Sequence, residues 1–132
     1  MPTILLIRHG ENDYIRKGKL AGRLPGVHLN NKGYQQAKTI AERLKDAPIK
    51  AIYSSPLERA VETAEPLAKA LSIEIQLRES LLETGYGDWQ GQPLKKLRRL
   101  KEWKIVQNTP SLFRFPLPSR GGYVICTARE NR

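Results

Sequence analysis

The chain has 132 residues, enough for one domain with a modest core and too few for two of ordinary size. A composition of 39% hydrophobic and 27% charged residues excludes the disordered and fibrous classes, and a lone cysteine, Cys126, excludes an internal disulfide framework and a cysteine-rich zinc site. The formal charge of +10 favours anionic partners without choosing among phosphorylated metabolites, nucleic acid and an anionic membrane surface.

The first element, Thr3 to Ile7 (TILLI), is β-branched or aliphatic throughout and reads as a strand buried on both faces. No basic region precedes it, and it is far too short for a signal peptide or a membrane span, so a cytoplasmic protein is expected. The strand stops at Arg8-His9-Gly10, and Glu11 to Asn30 has no sustained period, which predicts a long loop of the functional kind. Tyr34, Ala37, Ile40, Ala41 and Leu44 recur at helical spacing after Asn30 or Asn31 as a cap, ending near Asp46-Ala47-Pro48. Ala51 to Ser55 is a second strand. Ser55-Pro56-Leu57-Glu58 predicts a helix start, with a Ser cap, Pro at the first helical position and Glu three residues after the cap. That helix carries Leu57, Ala60, Val61, Ala64, Leu67, Ala68 and Leu71 on one face, and Ile73 to Leu77 alternates as a third strand.

Alternation of strands and helices predicts an α/β fold with a mostly parallel sheet and a ligand crevice beyond the carboxyl ends of its strands. Arg8-His9 and Ser54-Ser55 lie at such ends. After a glycine-rich loop, Pro93 to Val106 reads as one basic amphipathic helix, with Leu94, Leu97 and Leu100 on one side and six Lys or Arg between Lys95 and Lys104. Beyond Pro110 only Tyr123 to Cys126 (YVIC) resembles a strand.

Arg8, Arg59 and a helix N-terminus facing one crevice describe a site for a phosphate, because arginine offers a planar fork of donors and free backbone N–H groups complete the cradle. Arg23, in the long loop, is a further candidate. A histidine such as His9 can be the nucleophile in phosphoryl transfer, and neighbouring arginines disfavour its charged form. Glu83 precedes TGYGDWQG, whose aromatics could shield a carboxyl that protonates the leaving oxygen. Each residue alone has an ordinary alternative: a hydrogen-bonded histidine, a surface salt bridge from Arg59 to Glu58 or Glu62, a solvated Glu83.

Taken together, RHGEN (8–12), GRLPGVHLNNKGYQQA (22–37), SSPLERAVETA (54–64) and LLETGYGDWQG (81–91) closely resemble the histidine phosphatase, or phosphoglycerate mutase-like, superfamily. The resemblance covers residues 2 to 116 and leaves 117–132 as a divergent tail of a single domain. It implies a three-layer α/β/α fold, His9 as phospho-acceptor, Arg8 and Arg59 as the phosphoryl clamp, Glu83 as acid and then base, and neither metal nor organic cofactor. Asn12 stands where many members have Thr or Ser, and substitutes for them as a phosphate contact. The family's second catalytic histidine has no counterpart, because the other histidine here, His28, falls in a loop and reads as structural or peripheral.

In the family, the strand bearing that second histidine lies between the first strand and the one ending at Ser54-Ser55. Its absence leaves the expected sheet incomplete, with ladder groups unpaired and apolar faces open. The chain is therefore expected to be a truncated or frameshifted member that is unstable, aggregation-prone or a homo-oligomer. A shifted reading of YVICTARENR permits Met-Ser-Phe followed by Ala or Val, reminiscent of the family's continuation. The resulting expectation is a phosphomonoesterase, weak or inactive in this form, acting on a small phosphorylated metabolite. A membrane is not expected as a partner and nucleic acid is not favoured. The alternatives are a non-catalytic phosphate- or polyanion-binding fragment using the basic helix, and a mutase-type phosphotransferase.

Overall fold

The computed structural model describes residues 2–116 and 123–125. Its elements in chain order are helices α1 (Asp13–Arg16) and α2 (Asn31–Leu44), strand β1 (Ile52–Ser54), helix α3 (Glu58–Leu71), strand β2 (Ile75–Leu77), helices α4 (Leu94–Leu97) and α5 (Glu102–Asn108), and strands β3 (Arg114–Pro116) and β4 (Tyr123–Ile125). They belong to two units, one made of Met1–Asp13 and Pro25–Leu82, the other of Tyr14–Leu24 and Glu83–Arg132.

In the first unit α2 begins as its sequence dictates. Asn30 holds an extended backbone, and its Oδ1 accepts from the Gly33 N–H at 2.9 Å, satisfying one of the free donors of the first turn. Gly33, Ala37 and Ala41 form the buried stripe of α2, and the small side chains let it lie against α3, which buries Arg59, Thr63, Leu67 and Ala68. Val27 and Leu29 complete this core. Helix α3 connects β1 to β2, which pair in parallel with Ile52 opposite Ile75 and Ser54 opposite Leu77. The α/β class expected from the alternation is present.

Two expectations for this unit are corrected. Thr3 to Ile7 joins no ladder among the described residues, and it is exposed rather than buried on both faces, with Ile4 at 78% and Leu6 at 93%. An apolar run becomes a buried strand only when a hydrogen-bonded neighbour and a covering layer meet it, and the unit's described ladder is spent between β1 and β2. Helix α3 starts later than its signature suggests, at Glu58, with Leu57 in the cap position and no side-chain cap bond. Pro56 restricts Ser55 to extended backbone, and the Ser55 hydroxyl instead accepts from the Leu57 N–H at 3.3 Å, a turn two residues long.

The second unit is organised by aromatic rings. Trp89, Leu97 and Phe115 are buried, and Tyr86, Trp103 and Phe113 pack around them. Trp89 stacks on Trp103 with centroids 6.1 Å apart and meets Phe115 edge-on at 5.1 Å. The expected single helix from Pro93 to Val106 is instead α4 and α5 joined by a turn. Like-charged Lys95 and Arg99 would stand one turn apart in a continuous helix, and the break brings both Leu97 and Trp103 to the aromatic cluster. The long loop is tied down as well: Leu20 N–H donates to Gln92 O at 3.0 Å, and Leu94 N–H to Gly18 O at 2.7 Å. Strand β4 matches most of the expected YVIC strand and pairs antiparallel with β3, which the surrounding prolines concealed; Cys126 and the rest of the divergent tail lie outside the described residues.

Two stability predictions follow from this packing. Phe115→Ala removes a fully buried ring and is expected to cost about 3–5 kcal/mol, whereas Leu112→Ala, at 76% exposed, should stay within about 0.5 kcal/mol. Gly33→Ala should cost about 1–3 kcal/mol, because a Cβ there would fall on the backbone of Glu11. Urea unfolding midpoints at constant m-value measure all three.

Candidate active site

Arg8, His9 and Gly10 follow the exposed apolar run, and their backbone is held from the helix side. The Gly10 N–H donates to Thr63 Oγ1 at 2.9 Å, and the same hydroxyl donates to the Arg59 carbonyl at 2.6 Å. On the other flank, a Cβ on Gly10 would lie 2.8 Å from the Gly33 carbonyl, so only glycine lets the chain approach the first turn of α2 this closely. The loop that carries His9 is thereby held at Gly10 between Thr63 of α3 and the first turn of α2.

The His9 ring is half-buried, and its Nδ1 lies 2.9 Å from the Gly10 carbonyl. A carbonyl only accepts, so Nδ1 carries the hydrogen in this contact. In the neutral ring Nε2 then holds the lone pair. Arg59, in the first turn of α3, is 2% exposed, and Asn12 is fully buried opposite Leu29 in an antiparallel bridge. Both side chains are thus enclosed by protein, and each is engaged in interactions there. Arg8 is exposed. A buried guanidinium keeps its charge and its fork of donors, the chemistry that suits a tetrahedral oxyanion.

Arg23 and Glu83 belong to the second unit and bond to each other there. Arg23 Nε donates to the Glu83 carbonyl at 2.6 Å, and the Arg23 N–H donates to Gln90 Oε1 at 2.8 Å. Glu83 Oε1 accepts from the Thr84 N–H at 2.9 Å and from the Tyr86 hydroxyl at 3.3 Å. The shielding expected for this carboxyl is absent: Glu83 is exposed, because Tyr86 and Trp89 turn toward Phe115 instead.

Arg8, His9, Asn12 and Arg59 thus belong to the first unit, and Arg23 and Glu83 to the second. Sequence reasoning missed Thr63 and Glu62. Thr63 was legible in principle, as a hydroxyl one turn after Arg59 on the buried face of a helix whose other inward residues are apolar.

A family model for the histidine phosphatase superfamily (branch 1) matches residues 4–122. A 2,3-bisphosphoglycerate-dependent phosphoglycerate mutase of Thermoplasma acidophilum is 38% identical over 92 residues, covering 70% of this chain and 46% of the relative. An uncharacterised phosphatase of Bacillus subtilis, PhoE, is 34% identical over 112 residues, covering 85% of this chain and 58% of the relative. Among solved structures, the phosphoserine phosphatase of Entamoeba histolytica in complex with 3-phosphoglyceric acid superposes with a TM-score of 0.67 at 34% identity, over 74% of this chain and 47% of that one. The chain spans about half the length of the relatives it matches. With the motif residues of the first unit in place and a match from residue 4 to 122, the chain belongs to the histidine phosphatase superfamily.

Proposed function

We propose that this chain carries the phosphoryl-accepting residues of a phosphomonoesterase, which moves a phosphoryl group from a small phosphorylated metabolite to His9 and then to water. The observation that supports it best is the bond chain from Gly10 N–H through Thr63 Oγ1 to the Arg59 carbonyl, which couples the loop of a half-buried histidine to the helix turn bearing a buried guanidinium. In the first step His9 Nε2 attacks phosphorus, the ester P–O bond breaks, and the Glu83 carboxyl gives its proton to the departing oxygen. In the second step water attacks phosphorus, Glu83 takes the proton of that water, and the P–N bond breaks. The net change is ester plus water to alcohol plus phosphate.

Arg8 and Arg59 hold the oxygens whose charge grows in each transition state, Asn12 contributes its amide donors, and Arg23 is a further anion contact. The related proteins support a phosphorylated carboxylic acid as the substrate class, since one is named for phosphoglycerate and another is solved with 3-phosphoglyceric acid. The formal charge of +10 draws such anions in. Hydrolysis is preferred to mutase chemistry because the GRLPGVHLNNKG loop resembles the compact phosphatases of the family.

Incubation with p-nitrophenyl phosphate followed by alkaline quench should leave acid-labile phosphate on the chain, and His9→Ala should lose all of it. Persistent turnover in His9→Ala would rule the reading out. Arg59→Lys keeps the charge and loses the planar fork, so labelling should slow by roughly a hundredfold with the circular dichroism spectrum unchanged. Labelling at the original rate would remove Arg59 from the clamp.

A further inference from the structure

The mechanism leaves unused a carboxylate that sits one helical turn beyond Arg59. Glu62, on α3, is mostly buried, with 15% of its side chain exposed, and both of its oxygens are engaged by the loop that precedes α2. Oε1 bonds the His28 ring through Nδ1, and Oε2 accepts from the Leu29 N–H at 2.8 Å. Tyr34 of α2 lies near the same carboxylate: burial, and after it the charge of Glu62, pushes its phenol above the ordinary value.

Leu29 faces Asn12 across an antiparallel bridge, and the next residue repeats the attachment. The Asn30 N–H donates to the Glu11 carbonyl at 3.0 Å, and Asn30 Nδ2 donates to Glu11 Oε1 at 3.0 Å. The route from Glu62 to Asn12 is therefore short and made of directional bonds. The Glu62 carboxylate grips Leu29, Leu29 pairs with Asn12, and Glu62 shares its helix with Arg59. We propose that Glu62 is a positioning residue of the anion site, setting Asn12 relative to Arg59 through Leu29, with His28 making that grip depend on protonation. The inference rests on the phosphate-site reading above and names a control on that same site.

The groups facing the His28 ring fix the sign of its effect. Glu62 and Glu58 reach it from α3, and Tyr34 of α2 lies near the Glu62 carboxylate. The hydrogen bond to Glu62 raises the His28 pKa above its ordinary 6.5, with the charge of Glu62 adding to it. Glu58 is itself held below the usual carboxylate range by the Gly26 N–H, which donates to its Oε1 at 3.0 Å, so it stays charged where histidine titrates. A raised histidine pKa means that the charge-assisted contribution is complete below about pH 6.5 and is lost as pH rises through the elevated value. Above that value the ring is neutral and its hydrogen bond to Glu62 loses the assistance of charge, while the Leu29 N–H still donates to Oε2.

The test measures binding of inorganic phosphate by calorimetry, with sulfate as a second probe whose charge does not change where histidine titrates. It compares the parent chain with Glu62→Ala, Glu62→Gln and His28→Asn, each checked for thermal unfolding. At about pH 6, Glu62→Ala should weaken binding about tenfold at temperatures where it is fully folded. Glu62→Gln, which still accepts from Leu29, should recover most of that loss. His28→Asn should weaken sulfate binding by about threefold at low pH and match the parent chain at about pH 8.5. A merely structural role would lower the melting temperature and leave the dissociation constants of folded protein unchanged, and that result overturns the inference while leaving the phosphate site standing. His28 is largely exposed and should fold in any substitution, so a parent-like pH profile for His28→Asn overturns the coupling even if Glu62→Ala does not fold. A parent chain that binds neither anion removes the phosphate site and this inference together.

Discussion

One hydroxyl fixes the geometry on which everything else in the first unit depends. Thr63 Oγ1 accepts from Gly10 and donates to Arg59, so a single atom joins the histidine loop to the helix that carries the guanidinium. Both bonds are buried, where an unmade bond costs about 1–3 kcal/mol, and a hydroxyl has one donor to give and lone pairs to spare. An isosteric apolar side chain would occupy the same space and join nothing. The close approach of Gly10 to Gly33 works in the same direction from the other helix, since neither position has room for a Cβ. Together they place His9 from the side of α2 and α3.

This division explains what could be read from the sequence. Helix α2, its Asn30 cap and the buried stripe of Ala37 and Ala41 were legible because they depend on residues within a turn or two of each other. The same holds for β1, α3 and β2, and for the placement of Arg59 in a first turn. Arg8, His9 and Arg59 were singled out through type and spacing, and Asn12 through the family resemblance. Features set by distant partners were not found. Thr63 looks like any helical threonine until Gly10 lies against it, and Glu62 looks like a surface charge until Leu29 and His28 meet it. Local rules also misled where two of them competed. The Ser55-Pro56 signature satisfied every rule for a cap, yet the hydroxyl bonded two residues ahead and the helix began at Glu58.

The second unit shows a different limit. Its order comes from rings, and ring packing has no period that a sequence window reveals. Leu94, Leu97 and Leu100 suggested one helix, but Trp89 and Phe115 draw Leu97 and Trp103 into a cluster that a straight helix would not serve, so the chain breaks between them. The same pull accounts for Glu83. Aromatic neighbours were expected to shelter its carboxyl, whereas Tyr86 turns its ring to Phe115 and offers Glu83 only a hydroxyl.

The exposed run from Ile4 to Ile7 sharpens the role of the helices. Apolar surface in water is unfavourable by about 25 cal/mol per Å², and an extended backbone gains its stability from a ladder that these residues do not have among the described ones. A histidine that relied on the strand beneath it for position would be poorly placed here. His9 does not: its loop is bonded to Thr63, seated against Gly33, and continued by Asn12 in a bridge to Leu29. All three attachments come from α3, α2 and the loop between the motifs, which is where the Glu62 carboxylate also acts. The placement of His9, Asn12 and Arg59 in the first unit is therefore a property of the helix pair and its loop, held by the short-range bonds among them.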